Sequence, residues 1–350
     1  MTGTIQTVSG PISPDELGVT LVHEHVMADN TSLFHAPTDG ARADEPVTME
    51  NLWWVRNNPV KNLDNLRPPT VEVAAQELRL YQDAGGRTVV DPTPQGKNPN
   101  PLGVRSVAEK TGLNIILGCG WYRAPTHPKD VAAMTDDQIF DRLLEDVTVG
   151  VGDSDVRAGI IGEIGCSVPL HRDEERILRA AAAVQRQTGV ALSIHPPFSS
   201  REMLDRVTAF ITAEGCDLTR VIFCHICWAG YDLDTKKNLA EQGSYLAFDT
   251  FGHIDIVNIP NDGGFINPPG DLERVLAFVE LVRLGYANRL LLGQDIAWKT
   301  QMTVAGGAGY GHVLRNVVPL LRASGVSDED VDEILVQNPK RVLTVPEVSC

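Results

Sequence analysis

The sequence predicts an α/β fold, a (β/α)8 TIM barrel, from three observations. Short β-branched runs alternate with amphipathic stretches along the 350-residue chain, and strands alternating with helices of this length make βαβ units and a parallel sheet. The runs number eight, enough to close a barrel. No Gly-rich dinucleotide fingerprint opens the first unit, which counts against the alternative of an open, doubly wound sheet. Residues 1–350 are therefore expected to form one barrel domain.

In chain order the strands are expected at Gly18–His25, Arg87–Asp91, Asn114–Gly118, Ala158–Glu163, Val190–His195, Val221–His225, Ser244–Asp249 and Leu290–Asp295. Apolar residues recur at helical spacing in Val71–Ala84, Gln138–Val147, Glu174–Thr188, Arg201–Glu214, Leu233–Gln242 and Leu272–Leu284. Three segments are too long for simple turns: 26–69, 91–102 and 252–270. Each follows a strand, which in a barrel places it at the carboxyl-terminal face, where long loops serve as lids or binding loops. The loops 26–69 and 252–270 are expected over the active site. Residues 325–345 read as a closing helix.

A formal charge of −16 opposes nucleic acid or an anionic membrane as partner, because like charges repel. No window reaches the run of apolar residues a membrane span needs, and Met1–Ile5 show no basic segment leading into an apolar one. The six cysteines are scattered rather than framed for disulfides. A cytoplasmic protein acting on a small molecule is the expectation.

The strand ends carry the chemistry. The first ends in His23-Glu24-His25, the fourth in Glu163, the fifth in His195, the sixth in His225 and the eighth in Asp295. Residues two apart on a strand share a face, so His23 and His25 face the barrel interior and Glu24 the helices. A single such histidine is usually a satisfied core residue; placed together at one rim, imidazoles and carboxylates make a metal-binding set. Two divalent metal ions are expected, with Zn2+ the default and Mn2+ or Co2+ also compatible with these donors.

The pattern resembles the amidohydrolase superfamily and, within it, the phosphotriesterase-related family. The similarity rests on Gly18–His25, Leu52–Leu66, Ala158–Gly165, Ser193–His195, Leu291–Ile296 and the Gly306–Tyr310 run, and spans almost the whole chain. It implies that His23, His25 and Asp295 hold the more buried metal, that His195 and His225 hold the more exposed one, and that Glu163 bridges them. The best-known members bridge with a carboxylated lysine. Strand four here has none, so the chain is similar to a subgroup with a bridging glutamate. A homodimer is also implied by the resemblance.

Such a centre would activate a metal-bridging hydroxide, with Asp295 as the catalytic general base. A carboxylic ester or lactone ranks first as substrate, an amide (N-acyl) second and a phosphotriester third. Tyr122, Trp298 and Lys299 are candidate substrate contacts, with Lys97 and Arg105 as further cations for an anionic group. The competing readings are a TatD-type metal-dependent DNase, opposed by the acidic balance, and a non-catalytic relic, opposed by the retention of Asp295 and Glu163. Asp249 is a candidate partner for a ligand histidine. Cys224 is expected to point away from the metal face, and Cys224–Cys227 is not read as a redox motif.

Overall fold

The alternation along the sequence becomes eight parallel strands in sequential order: β1 (Thr20–Leu21), β2 (Thr88–Asp91), β3 (Asn114–Cys119), β4 (Ile160–Gly165), β5 (Ala191–His195), β6 (Val221–Phe223), β7 (Tyr245–Phe248) and β8 (Leu290–Leu292). The computed structural model describes residues 3–346 except 39, 199, 229, 255–256, 260–263 and 267–268. The ladder runs from Thr20 beside Thr88 to Leu290 beside Leu246, with register shifts on both sides of β4, at Cys119 and between Ile161 and Ile164. The regular ladder of β1 is shorter than the predicted Gly18–His25. Beyond Leu21 the chain bonds singly to both neighbours, Val22 N donating to Leu292 O and Glu24 N to Val90 O. Together with Asp295 N donating to His23 O at 3.0 Å, the Val22 bond closes the seam between β1 and β8.

The crossover helices are α1 (Val71–Asp83), α2 (Pro101–Thr111), α3 (Asp136–Thr148), α4 (Arg172–Thr188), α5 (Arg201–Ala213), α6 (Leu233–Glu241) and α7 (Asp271–Arg283). Helix α2 is additional to the amphipathic stretches named from the sequence. Its start and stop are conventional: the Asn100 side chain caps the Gly103 amide, Pro101 occupies the first turn, and Gly112 ends the helix at φ +72°. Thr70, Thr135 and Ser200 cap α1, α3 and α5 in the same way. Residues 325–345 are mostly helical, through Asp328–Asp332, Glu333–Gln337 and Asn338–Leu343.

Two apolar layers follow from strand alternation. Val22, Val90, Ile116, Ile160, Ala191, Ile222, Ala247 and Leu291 fill the barrel, joined by Ile5 and Leu17 from the amino-terminal segment. The opposite faces, among them Leu21, Val89, Ile115, Ile161 and Leu192, pack on the helices. Burial of this kind is worth about 25 cal/mol per Å2 of apolar surface. It makes the barrel a rigid frame that holds the strand ends at fixed positions. The loop 26–69 contains short helices at Leu52–Asn57 and Leu63–Leu66, the second of which meets the segment after β8 through Asn65 and Leu66. The loop 252–270 contains an antiparallel pair, Val257–Ile259 with Gly264–Ile266; much of the rest of it lies outside the described residues. Among the described residues no helix is long and apolar enough to cross a membrane.

Candidate metal centre

Glu163, on β4, sits at the centre of the strand-end residues and is fully buried. Its two oxygens face different partners. Oε1 lies 3.3 Å from His25 Nε2 and 3.7 Å from His23 Nε2, whereas Oε2 lies 3.1 Å from His195 Nδ1 and 3.3 Å from His225 Nε2. Asp295 completes the first side, its Oδ1 standing 3.2 Å from His25 Nε2 and 3.6 Å from His23 Nε2. His23, His25 and Asp295 form one group able to hold a metal ion, and His23, Glu163 and His225 form another.

The second ring nitrogens of His23, His25 and His225 face polar side chains from behind, whereas His195 Nε2 has no hydrogen-bond partner. Asp249, just past β7, reaches His23 Nδ1 at 3.0 Å through one oxygen and His225 Nδ1 at 3.1 Å through the other. Thr93 Oγ1 lies 2.8 Å from His25 Nδ1 and donates its single proton to Asp91. It must therefore accept from His25 Nδ1–H, which leaves the Nε2 lone pair facing the site. Acceptors behind ligand imidazoles fix orientation and raise basicity. Glu24 faces away as expected, its carboxylate accepting from the Gln294 and Ile296 amides at 2.7 and 3.1 Å.

The donor set fits metal ions. His23 Nε2 and His25 Nε2 stand 3.4 Å apart, and the buried Asp295 Oδ1 beside them has no hydrogen-bond partner. Lone pairs gathered this closely repel unless a cation lies among them. Without a metal ion the carboxylates and burial pull the ring nitrogens in opposite directions. Burial works against protonation of His225, yet Asp249 and Glu163 outweigh it and hold its pKa well above the usual imidazole value. Burial alone would raise the Asp249 carboxyl, but His225 and His23 pull it down to about 2. Burial drives His195 down to about 3, keeping it neutral, the form that ligates.

Above this cluster lies an apolar wall. Tyr122 and Trp298 pack with Leu33, Val60 and Leu66, mostly from the loop 26–69. The Tyr122 hydroxyl is 3.5 Å from His195 Nδ1. Phe198 stands edge-on to His195 at 4.9 Å and packs against Trp228 at 5.4 Å; neither was singled out from sequence, since isolated loop aromatics carry no periodic signal. Lys299 does not join the group, pairing instead with Asp64 at 2.6 Å. Arg105 pairs with exposed Asp155 at 2.9 Å, among Gln6, Val8 and Glu109. Lys97 does join: it is 5% exposed and its Nζ is 2.7 Å from Glu163 Oε1.

Cys224 departs from expectation. Its thiol lies within the inner barrel layer, 2.9 Å from Ser193 Oγ, and not on the outer face. Strand alternation in fact continues through it: Ile222 and Cys224 face inward and Phe223 outward, whereas His225, which the same alternation would turn outward, adopts φ +54° and is brought to the mouth by that turn.

The chain matches the phosphotriesterase family over residues 3–343. It is 34% identical to an N-acetyltaurine hydrolase of Dictyostelium discoideum, with 98% of each chain covered, and 34% identical to one of Homo sapiens, covering 98% of this chain and 99% of that one. Among solved structures, a resiniferatoxin-binding protein from Rhodobacter sphaeroides superposes with a TM-score of 0.92 at 33% identity, covering 98% of this chain and 95% of the other. The phosphotriesterase homology protein from Escherichia coli, complexed with phosphate in its active site, gives 0.76 at 26% identity, covering 94% of this chain and 100% of that one. With its eight-stranded barrel and its rim of histidines and carboxylates, the chain belongs to the phosphotriesterase family and is a metal-dependent hydrolase.

Proposed function

We propose that the protein hydrolyses the amide bond of a small N-acyl substrate whose amine portion carries an acidic group, the class to which N-acetyltaurine belongs. The observation that carries the chemistry is the divided Glu163 carboxylate, with one oxygen toward His23 and His25 and the other toward His195 and His225. That arrangement suits a carboxylate shared by two metal positions. The substrate class draws on the relatives named as N-acetyltaurine hydrolases. They favour the amide over the ester or lactone that the sequence ranks first.

In this reading His23, His25 and Asp295 would hold one divalent cation and His195 and His225 the other, with the Glu163 carboxylate available to both. Zinc is the proposed metal, with manganese or cobalt accommodated by the same donors. When bound, such ions polarise a carbonyl and lower the pKa of a water toward neutrality. Asp295 takes the proton of the attacking water and passes it to the leaving amine. His253, whose Nε2 lies 3.0 Å from Asp295 O, and the Glu24 carboxylate on the Gln294 and Ile296 amides fix the backbone on either side of that carboxylate. Tyr122, Trp298, Phe198 and Trp228 exclude bulk water from the acyl group.

The test is a hydrolysis panel on protein of measured metal content, comparing N-acetyltaurine and N-acetyl amino acids with lactones, aryl esters and a phosphotriester. The highest kcat/KM is expected for an acidic N-acyl amide; a lactone or aryl ester that outpaces every amide overturns the proposal. Asp295→Asn should retain metal and lose about 100-fold or more of kcat, whereas Glu163→Ala should lose metal as well. Near wild-type turnover in Asp295→Asn would remove the proton-transfer role.

A further inference from the structure

Lys97 sits in the loop after β2, and its backbone is fixed on both sides: its amide donates to Pro94 O at 3.1 Å and its carbonyl accepts from Asp29 N at 3.0 Å. The preceding Gly96 has φ +101° and lies so close to Thr126 that a Cβ there would collide with its side chain. The loop thus directs the Lys97 side chain inward. Its ammonium lies 2.9 Å from His25 Nε2, 2.7 Å from Glu163 Oε1 and 4.4 Å from the Tyr122 ring centroid.

Two of these partners are atoms that a metal ion at the His23–His25–Asp295 group would need. An imidazole nitrogen offers one in-plane lone pair, and the Asp91–Thr93 relay fixes His25 with that lone pair on Nε2. One lone pair serves one cation. An ammonium so placed would also stand close to a divalent ion with little solvent between them to screen the repulsion.

We propose that the Lys97 ammonium and the divalent cation at the His23–His25–Asp295 group are alternative occupants of the His25 Nε2 lone pair, so that metal uptake displaces Lys97 and Lys97 sets the affinity of that position. The inference rests on the metal-centre reading above and adds a competitor built into the chain. It predicts that Lys97 opposes metal binding, the reverse of what an ordinary supporting residue would do.

The experiment is a zinc titration of chelator-stripped full-length protein against a competing metal indicator, for the wild type, Lys97→Met and Lys97→Gln. Loss of a charge-assisted hydrogen bond that must be broken on uptake should tighten the first zinc site about tenfold or more in Lys97→Met. Lys97→Gln, which keeps a donor without the charge, should fall between. The stripped Lys97→Met protein should also melt below stripped wild type, because Glu163 loses its cation. Equal or weaker zinc affinity in Lys97→Met overturns the proposal. A readout on wild type alone guards against variants that fail to fold. With 15N-labelled lysine, one exchange-protected ammonium resonance should vanish as the first equivalent of zinc is added, and its persistence through two equivalents overturns the proposal. Wild type that binds no zinc, manganese or cobalt overturns the metal-centre reading together with this one; normal uptake with unchanged Lys97→Met affinity overturns this one alone.

Discussion

Two of the clustered side chains hang on backbone that L residues seldom adopt, His225 at φ +54° and Asp295 at φ +49°. Each lies just beyond the regular end of its strand, Phe223 in β6 and Leu292 in β8, and the left-handed turn brings its side chain over the barrel mouth. Such conformations cost about 1–3 kcal/mol each and persist where the surroundings over-determine them. Here the Asp249 carboxylate accepts from the His225 amide at 2.8 Å and stands 3.1 Å from its Nδ1, while its other oxygen lies 3.0 Å from His23 Nδ1. Asp249→Asn can no longer balance two imidazoles, and metal affinity should fall about 10- to 100-fold, measured by competition with a metal indicator; unchanged affinity would mean the rings are held by packing. Residue by residue, the strand-end set and Asp249 were legible in the sequence because they share the strand termini, although local turns and the register shift in β4 complete the placing of His225 and Glu163. The inward Cys224 follows strand alternation from Ile222, whereas the placing of His225 depends on a local turn after β6. The burial of Lys97 was not legible, because a loop lysine carries no periodic signal.

At the scale of elements, the rim is held by carboxylates reaching from one element to another. Glu77 of α1 accepts from Thr303 N at 2.9 Å, Thr303 Oγ1 at 2.7 Å and Val304 N at 2.8 Å, tying the loop after β8 to the helix before β2. The same loop is tied to residues 26–69 by Thr300 N donating to Asn65 Oδ1 at 2.9 Å and by the Lys299–Asp64 pair. Glu77→Ala removes a charged acceptor from three part-buried donors, so a loss of about 1–3 kcal/mol in a denaturant melt is expected. KM should rise more than kcat falls, because Trp298 lies on this loop and the metal ligands do not move; a kcat collapse with unchanged KM would contradict that division. Helix α3 buries Asp146, whose pKa burial raises to about 6 despite Arg142 beside it. A carboxyl that binds its proton more tightly when folded adds stability below the unfolded value, and this is lost as pH rises from about 4 to about 6. Asp146→Asn should abolish that decline, matching wild type near pH 3.5 and melting higher at pH 7. Parallel Tm–pH curves would refute the assignment.

Across the whole molecule, the site gathers Asp91, Glu163, Asp249 and Asp295 within a chain already at −16. A ligand that binds only the folded state stabilises it by mass action, about 2.7 kcal/mol at a free concentration 100 times Kd. Chelation is therefore expected to lower Tm by several degrees, read by calorimetry with and without chelator and restored by added zinc. A Tm indifferent to chelator would mean that these carboxylates are neutralised within the protein. The acidic balance itself bears on partners and solubility and leaves the fold to the core.

The sequence by itself determined the barrel and the set of histidines and carboxylates at its mouth. Both are written in short-range periodicity: strand, helix, strand, with the ligand at the strand end. It also carried the family resemblance that the comparisons bore out. The proposed preference for an amide over an ester lay beyond it, since the chemistry of activated water serves both and loop side chains choose between them. What tertiary structure alone decided is which Glu163 oxygen faces which pair, and that Lys97 meets Glu163 across 66 residues and Asp64 meets Lys299 across 235. Such meetings follow from how loops of irregular length fold back over a rigid barrel. No local pattern encodes that distance.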